Sequence, residues 1–128
     1  MNIELPPAET FIAIHDRLIA LYGGAPGIRD PDALGAALAR PGHLAAYGDV
    51  TSLPRLAAAV AYGICRIRHP FVDGNKRVAF AALFAILDMN GLTLDVAEAE
   101  ATRVVLEVAE GRLSEEDFAA WVERSVYH

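Results

Sequence analysis

From Val78 to Leu87 the chain reads Val-Ala-Phe-Ala-Ala-Leu-Phe-Ala-Ile-Leu, with no polar residue. A helix that is apolar on every side has to be surrounded by other elements. The rest of the chain is therefore expected to pack around it, and its N-terminus to be held still. Directly before that run stands His69-Pro70-Phe71-Val72-Asp73-Gly74-Asn75-Lys76-Arg77. A turn dense in chemistry, set against a buried helix, reads as an active-site loop feeding a helix N-terminus.

Each residue of the turn has a physical role to offer. Pro70 disfavours the α conformation at His69, so the preceding helix should stop near Arg68. His69 then sits at a helix end with its imidazole free to face a cleft, and imidazole is the side chain that changes charge near neutral pH. Phe71 is the expected buried anchor. Asp73 offers the carboxylate oxygens that Mg²⁺ takes alongside phosphate. Gly74 tolerates positive φ and lets a ligand approach the backbone. Asn75, Lys76 and Arg77 open the next helix, where N–H groups lack intrahelical acceptors and favour anions. Lys76 adds a compact charge and Arg77 a planar fork. It is the only lysine among eleven Lys and Arg residues. Together these residues read as a polyphosphate seat with a base beside it.

The remaining chain reads as helices. The first is expected from about Pro7 to Tyr22, after a strand-like lead at Ile3-Glu4-Leu5. Its apolar face holds Phe11, Ile14, Leu18 and also His15, read as a core histidine satisfied by one good partner. Gly23 to Gly27 is a loop. Arg29 follows and is read as solvated, with a reach to the site as the alternative. Asp30-Pro31 supplies an N-cap and an N1 proline. The second helix is predicted to be short, about Pro31 to Ala39, ended by Pro41-Gly42, with His43 and Tyr47 as surface or packing residues of a loop to Thr51. The third starts near Ser52 to Pro54, with Leu56, Val60, Ile64 and Ile67 inward. Arg66 and Arg68 at its C-terminal end complement the helix dipole or reach the ligand. The fourth runs from Asn75 to about Met89, ended by Asn90-Gly91. The fifth spans Val96 to Ala109. The sixth opens at the capping sequence Ser114-Glu115-Glu116-Asp117, with Phe118, Trp121 and Val122 inward and Trp121 a core residue. The expectation is one all-α domain of six helices over residues 1–128.

Composition narrows the function classes. At 128 residues and 54% hydrophobic, the chain can bury a real core. A net charge of −6 argues against a broad nucleic-acid or anionic-membrane footprint. Locally the balance reverses: Arg66, Arg68, Lys76 and Arg77 cluster around one acid, Asp73, as a nucleotide pocket would. The single cysteine, Cys65, excludes an internal disulfide and is read as core. No signal-peptide pattern opens the chain, no apolar run reaches membrane-spanning length, and a cytoplasmic location is expected. No Walker A string, dinucleotide fingerprint, zincin or nucleophile-elbow motif is present.

The string from His69 to Arg77 resembles the Fic/Doc (Fido) motif, His-x-Phe-x-Asp/Glu-Gly/Ala-Asn-Gly/Lys-Arg. Lys76 matches the form found in the Doc, or death on curing, branch. Phe11 to Leu21, the loop from Gly23 to Pro31, Asn90-Gly91 and Trp121 also sit where Doc-like chains have similar residues. AMP-transferring Fic proteins usually carry Gly in place of Lys76 and a second Arg in place of Phe80. Val78 departs from the small hydroxyl residue of many relatives. The resemblance implies a six-helix Fic/Doc-like domain that uses ATP and Mg²⁺. It implies His69 as catalytic base, Asp73 as metal ligand, and Gly74, Asn75, Lys76 and Arg77 as the nucleotide-binding set. It further implies a toxin that moves the γ-phosphate of ATP to a Ser/Thr hydroxyl of a protein, with translation elongation factor Tu as target, and so blocks translation. Its partner would be an antitoxin protein of the Phd-like kind. No Ser or Thr in the sequence has Glu four residues on, so the self-inhibitory Ser/Thr-x-x-x-Glu helix of restrained Fic proteins is not expected. The alternatives are a Fic-type AMP transferase and a non-catalytic helical interaction domain.

Overall fold

The computed structural model describes residues 3–48, 50 and 52–127. Six α-helices carry the fold: α1 (Ala8–Tyr22), α2 (Pro31–Tyr47), α3 (Leu53–Tyr62), α4 (Asn75–Met89), α5 (Glu98–Ala109) and α6 (Glu115–Arg124). α3 continues directly into a π-helical segment, Gly63–Arg68. The only sheet among the described residues is a two-residue antiparallel pair, β1 (Thr93–Leu94) with β2 (Val126–Tyr127). This is the expected all-α class. The helix starts follow their caps. Asp30 accepts from Asp32 N–H, Ser52 from Arg55 N–H and Ser114 from Asp117 N–H, each satisfying a donor the helix cannot.

Four local expectations need correction. First, α2 does not stop at Pro41 but runs through it to Tyr47. A proline inside a helix forfeits a backbone bond and costs roughly 3 kcal/mol. Tertiary contacts offset it: the Pro41 ring is buried, and its neighbour Arg40 donates to Ala59 O at 3.0 Å and to both carboxylate oxygens of Glu115. Secondly, α4 is central, packed against α1, α3, α5 and the π-helical segment, but it is not enclosed on every side, and α3 is the more enclosed of the two. Leu56 to Ala61 are buried without a break, because small side chains let α2, α4 and α6 pack against α3 from different sides. α4 keeps one open face, where Phe84 is 48% exposed. Thirdly, Ile67, expected inward, is 45% exposed, since the π-helical segment breaks the 3.6-residue period just before it. Fourthly, residues 3–5 form no strand. Asn90 instead pins them, its side chain accepting from Glu4 N–H and donating to Glu4 O.

Other core assignments hold. Phe11, Cys65, Val104, Val105, Val108 and Phe118 are buried, and Trp121 donates its indole N–H to Glu100 at 2.9 Å. His43 and Tyr47 lie exposed on α2. The end of the loop to Thr51 includes residues outside those described.

Candidate active site

The turn between the π-helical segment and α4 is built on Phe71. Its ring is 1% exposed and stacks on the His15 imidazole, centroids 4.1 Å apart and planes 9° from parallel. Asn75 then closes the turn on itself: its carbonyl accepts from Phe71 N–H at 3.0 Å and its amide donates to Phe71 O at 2.9 Å. Local back-bonding of this kind is what Asn side chains do well. The Asn75 side chain is thus committed to the turn, and only its backbone N–H faces forward. His15 supplies the third support. Its Nε2–H donates to the carbonyl of Asp73 at 2.8 Å, so a residue read as a satisfied core histidine is one, with the motif as its partner.

Gly74 sits at φ 80° and caps α4. A side chain there would meet Ile19 and His15 and would strain the backbone. Behind it the N–H groups of Asn75, Lys76 and Arg77 find no acceptor among the described residues. That end of α4 carries the partial positive charge of the helix dipole, which favours an anion. Lys76 is exposed beside it. Arg77 is less free than expected: it donates to Gly23 O at 2.9 Å and lies 5.7 Å from the centroid of the Tyr22 ring. It straps the end of α1 to the start of α4.

Asp73 is exposed, yet its carboxylate is held. Oδ1 accepts from Gly74 N–H at 2.8 Å and Oδ2 from Ala25 N–H at 3.2 Å. The Ala25 and Gly74 N–H groups keep its carboxyl below the usual range, so it is an anion at working pH. Among the described residues no group of three His, Cys, Asp or Glu side chains gathers to hold a metal. A lone carboxylate suits Mg²⁺, which keeps several waters and shares its site with substrate phosphates. The residues fit that ion only with a phosphate beside it.

His69 ends the π-helical segment at φ 47° and ψ 63° and is the only non-glycine residue with positive φ among the described residues. The left-handed conformation costs an ordinary side chain roughly 1–2 kcal/mol. The imidazole is exposed. Its backbone is clamped from outside, by a residue the sequence left as solvated. Arg29 donates from Nε to His69 O at 2.6 Å and from Nη2 to Arg68 O. The same loop pairs alongside the motif: Arg29 and Asp30 N–H groups both donate to Pro70 O, and Val72 N–H donates to Gly27 O. Ile28 and Phe71 form an antiparallel bridge. No local pattern in the sequence joins Arg29 to residues forty positions on; only the fold does. Arg66, by contrast, packs its guanidinium over Gly111 in the turn after α5.

Beside the turn, the open face of α4 floors a groove of about 800 Å³. Leu18 and Tyr22 of α1 and Val105 and Leu106 of α5 form its walls, Phe80 and Phe84 line it, and Lys76 and Arg77 lie where it meets the motif.

An exposed histidine, an anion-favouring helix start, a held carboxylate and a lone lysine group at one corner of an all-α scaffold of the Fic/DOC kind. The chain belongs to the Fic/DOC family, whose model matches residues 5–87. It is similar to a protein of Escherichia phage P1 named Protein kinase doc, 37% identical over 84 residues, 66% of each chain. It is also similar to Toxin Doc of Mycolicibacterium smegmatis, 45% identical over 76 residues, 57% of this chain and 56% of the relative. The matched stretches thus span just under two thirds and just over half of those relatives.

Proposed function

We propose that this chain is a Doc-like toxin that transfers the γ-phosphate of ATP to a Ser/Thr hydroxyl of a protein. The observation that carries the reading is the pairing, within one Asn75-closed turn, of the exposed His69 with the unanswered N–H groups and exposed Lys76 at the start of α4. His69 takes the proton of the attacking hydroxyl. Its oxygen bonds to the γ-phosphorus, the bond to the β–γ bridging oxygen breaks, and ADP leaves. The α4 N–H groups and Lys76 stabilise charge on the transferring group, which is where phosphoryl transfer needs donors. Asp73 would hold Mg²⁺, which when bound neutralises phosphate charge. Gly74, Asn75 and Arg77 contribute by shape: an open backbone, a closed turn and a fixed helix start.

Phosphate choice rests on Lys76 and Phe80. Both line the groove, and Phe80 offers an apolar ring where a deeply seated triphosphate would need a cation. Seating the γ-phosphate at the helix mouth under Lys76 avoids that loss. The target, translation elongation factor Tu, rests on the family resemblance, and a cytoplasmic site of action goes with such a target. Among the described residues no helix is long and apolar enough to cross a membrane. The regulatory partner would be a Phd-like antitoxin protein, and the groove beside Lys76 is the surface suited to receive its segment.

The test is incubation of the chain, elongation factor Tu and Mg²⁺ with ATP labelled at one phosphate at a time. Label should pass from the γ position only, and Lys76→Gly should weaken the transfer sharply. Transfer of α-label with adenosine would make the protein an AMP transferase. Absence of any transfer to any protein of a cell extract would leave a non-catalytic interaction domain.

A further inference from the structure

We infer that Arg29 is the positioning residue that sets the orientation of His69, acting through the backbone. The inference rests on the proposed role of His69 as base. The imidazole is exposed, so the direction in which it leaves the chain depends on the torsion angles of residue 69. Those angles are unusual, φ 47° and ψ 63°. The neighbouring Pro70 cannot help to hold them, since it has no N–H to donate. What the turn does have is three consecutive carbonyls, at residues 68, 69 and 70, and all three are bonded by Arg29. Its side chain answers Arg68 O and His69 O, and its own N–H answers Pro70 O at 2.8 Å. From within the segment, His69 gains one bond, from its N–H to Ile64 O at 3.2 Å.

The chemistry suits arginine in particular. Its planar fork can answer two adjacent carbonyls from two nitrogens at once, whereas a lysine ammonium presents one nitrogen. The carbonyls lie at the negative end of a helical segment, where a cation is favoured. The loop bearing Arg29 is itself registered on the motif by the Val72–Gly27 and Ala25–Asp73 bonds. The clamp is therefore rigid at its base and reaches the one strained residue of the turn. Its hydrogen bonds go to residues 68, 69 and 70 and not to the start of α4 or Lys76, so nucleotide binding and base placement are separable.

The experiment compares the parent chain with Arg29→Met, which keeps the aliphatic stem, and Arg29→Lys. Two readouts are taken. The first is the intraresidue HN–Hα cross-relaxation of His69 in isotopically labelled protein, strong when φ is positive because the two protons are then close. The second is ATP-dependent transfer. In Arg29→Met the cross-peak should weaken and kcat fall by on the order of 10²-fold, as expected for a misplaced catalytic group, while KM for ATP stays within about twofold. Arg29→Lys should fall between, and guanidinium ion at concentrations that leave the helical circular dichroism unchanged should restore part of the lost rate to Arg29→Met, with ammonium failing to do so. A His69 cross-peak unchanged in a folded Arg29→Met, or an altered cross-peak with undiminished kcat, would overturn the inference. If the parent shows no transfer, the kinase reading fails on its own, and the cross-peak still decides whether Arg29 sets the conformation of His69.

Discussion

His69 and Asp73 show how much of a site can be legible in single residues and how much cannot. Their identities suit a base and a hard-metal ligand, the roles we propose for them. Removing the base should cost roughly 10² to 10⁴ in rate; a folded His69→Ala with undiminished turnover would take this residue out of the mechanism. Asp73 carries a pH signature as well. Its folded pKa lies below the ordinary value, through the N–H groups of Ala25 and Gly74. The stability it contributes is therefore fully present above the ordinary aspartate pKa of about 3.9 and disappears as pH falls through the lower folded value. Thermal midpoints of the parent and Asp73→Asn should differ by a constant amount from neutral pH down to the ordinary carboxylate range, then converge in stronger acid. In the same variant, Mg²⁺ titrated with ATP present should act only at higher concentration, because a hard cation prefers a charged oxygen. Equal metal dependence in both proteins would place the ligand elsewhere.

At the scale of elements, the motif is less a loop than a cross-linked corner. Phe71 and Asn75 hold each other through two hydrogen bonds, α1 holds Asp73 through His15, and the loop after α1 holds Pro70 and Val72. Asn75→Ala removes both bonds of the first pair and leaves the backbone of a buried aromatic unanswered. At about 1 kcal/mol net per bond, and more where a buried group is orphaned, stability should drop by roughly 1–3 kcal/mol. Urea unfolding measures it, and an unchanged midpoint would show that the turn stands without its closing pair. The π-helical segment belongs to this scale too. It delivers His69 at the end of a buried helix with its N–H bonded to Ile64 O rather than to the carbonyl one residue closer, and π-helical turns recur at functional sites.

At the scale of the whole molecule, the described residues leave a large apolar groove on the open face of α4. Phe84, 48% exposed there, is the residue whose change should separate toxicity from restraint. Expression of the chain should arrest growth, and co-expression with the protein encoded beside it should relieve the arrest. Phe84→Glu, remote from the phosphate seat, should retain arrest and lose relief, since a buried carboxylate without a partner is costly at an apolar interface. Relief undiminished in that variant would put the antitoxin on another face. Harmless expression of protein with verified transfer activity would count against the toxin reading altogether.

The amino-acid sequence by itself determined the class of fold and where the motif's polar groups gather, because both depend on short-range rules. Helical periodicity, the Asp30, Ser52 and Ser114 caps and the Asn90-Gly91 stop are decided within a turn or two of helix, and the string from His69 to Arg77 keeps its reactive groups within one corner. Where long-range packing competes, local rules lost. Pro41 ends nothing, because Arg40 ties α2 to α3 and α6. The most enclosed helix is the small-residue α3, because helix approach depends on side-chain volume on both partners, not on apolar character alone. Arg77 is a strap and Arg29 a clamp because each reaches a carbonyl brought close only when α1, its following loop and the motif have assembled. A guanidinium reads as solvated until the tertiary structure sets an orphaned carbonyl in front of it, and that is what the fold alone decided here.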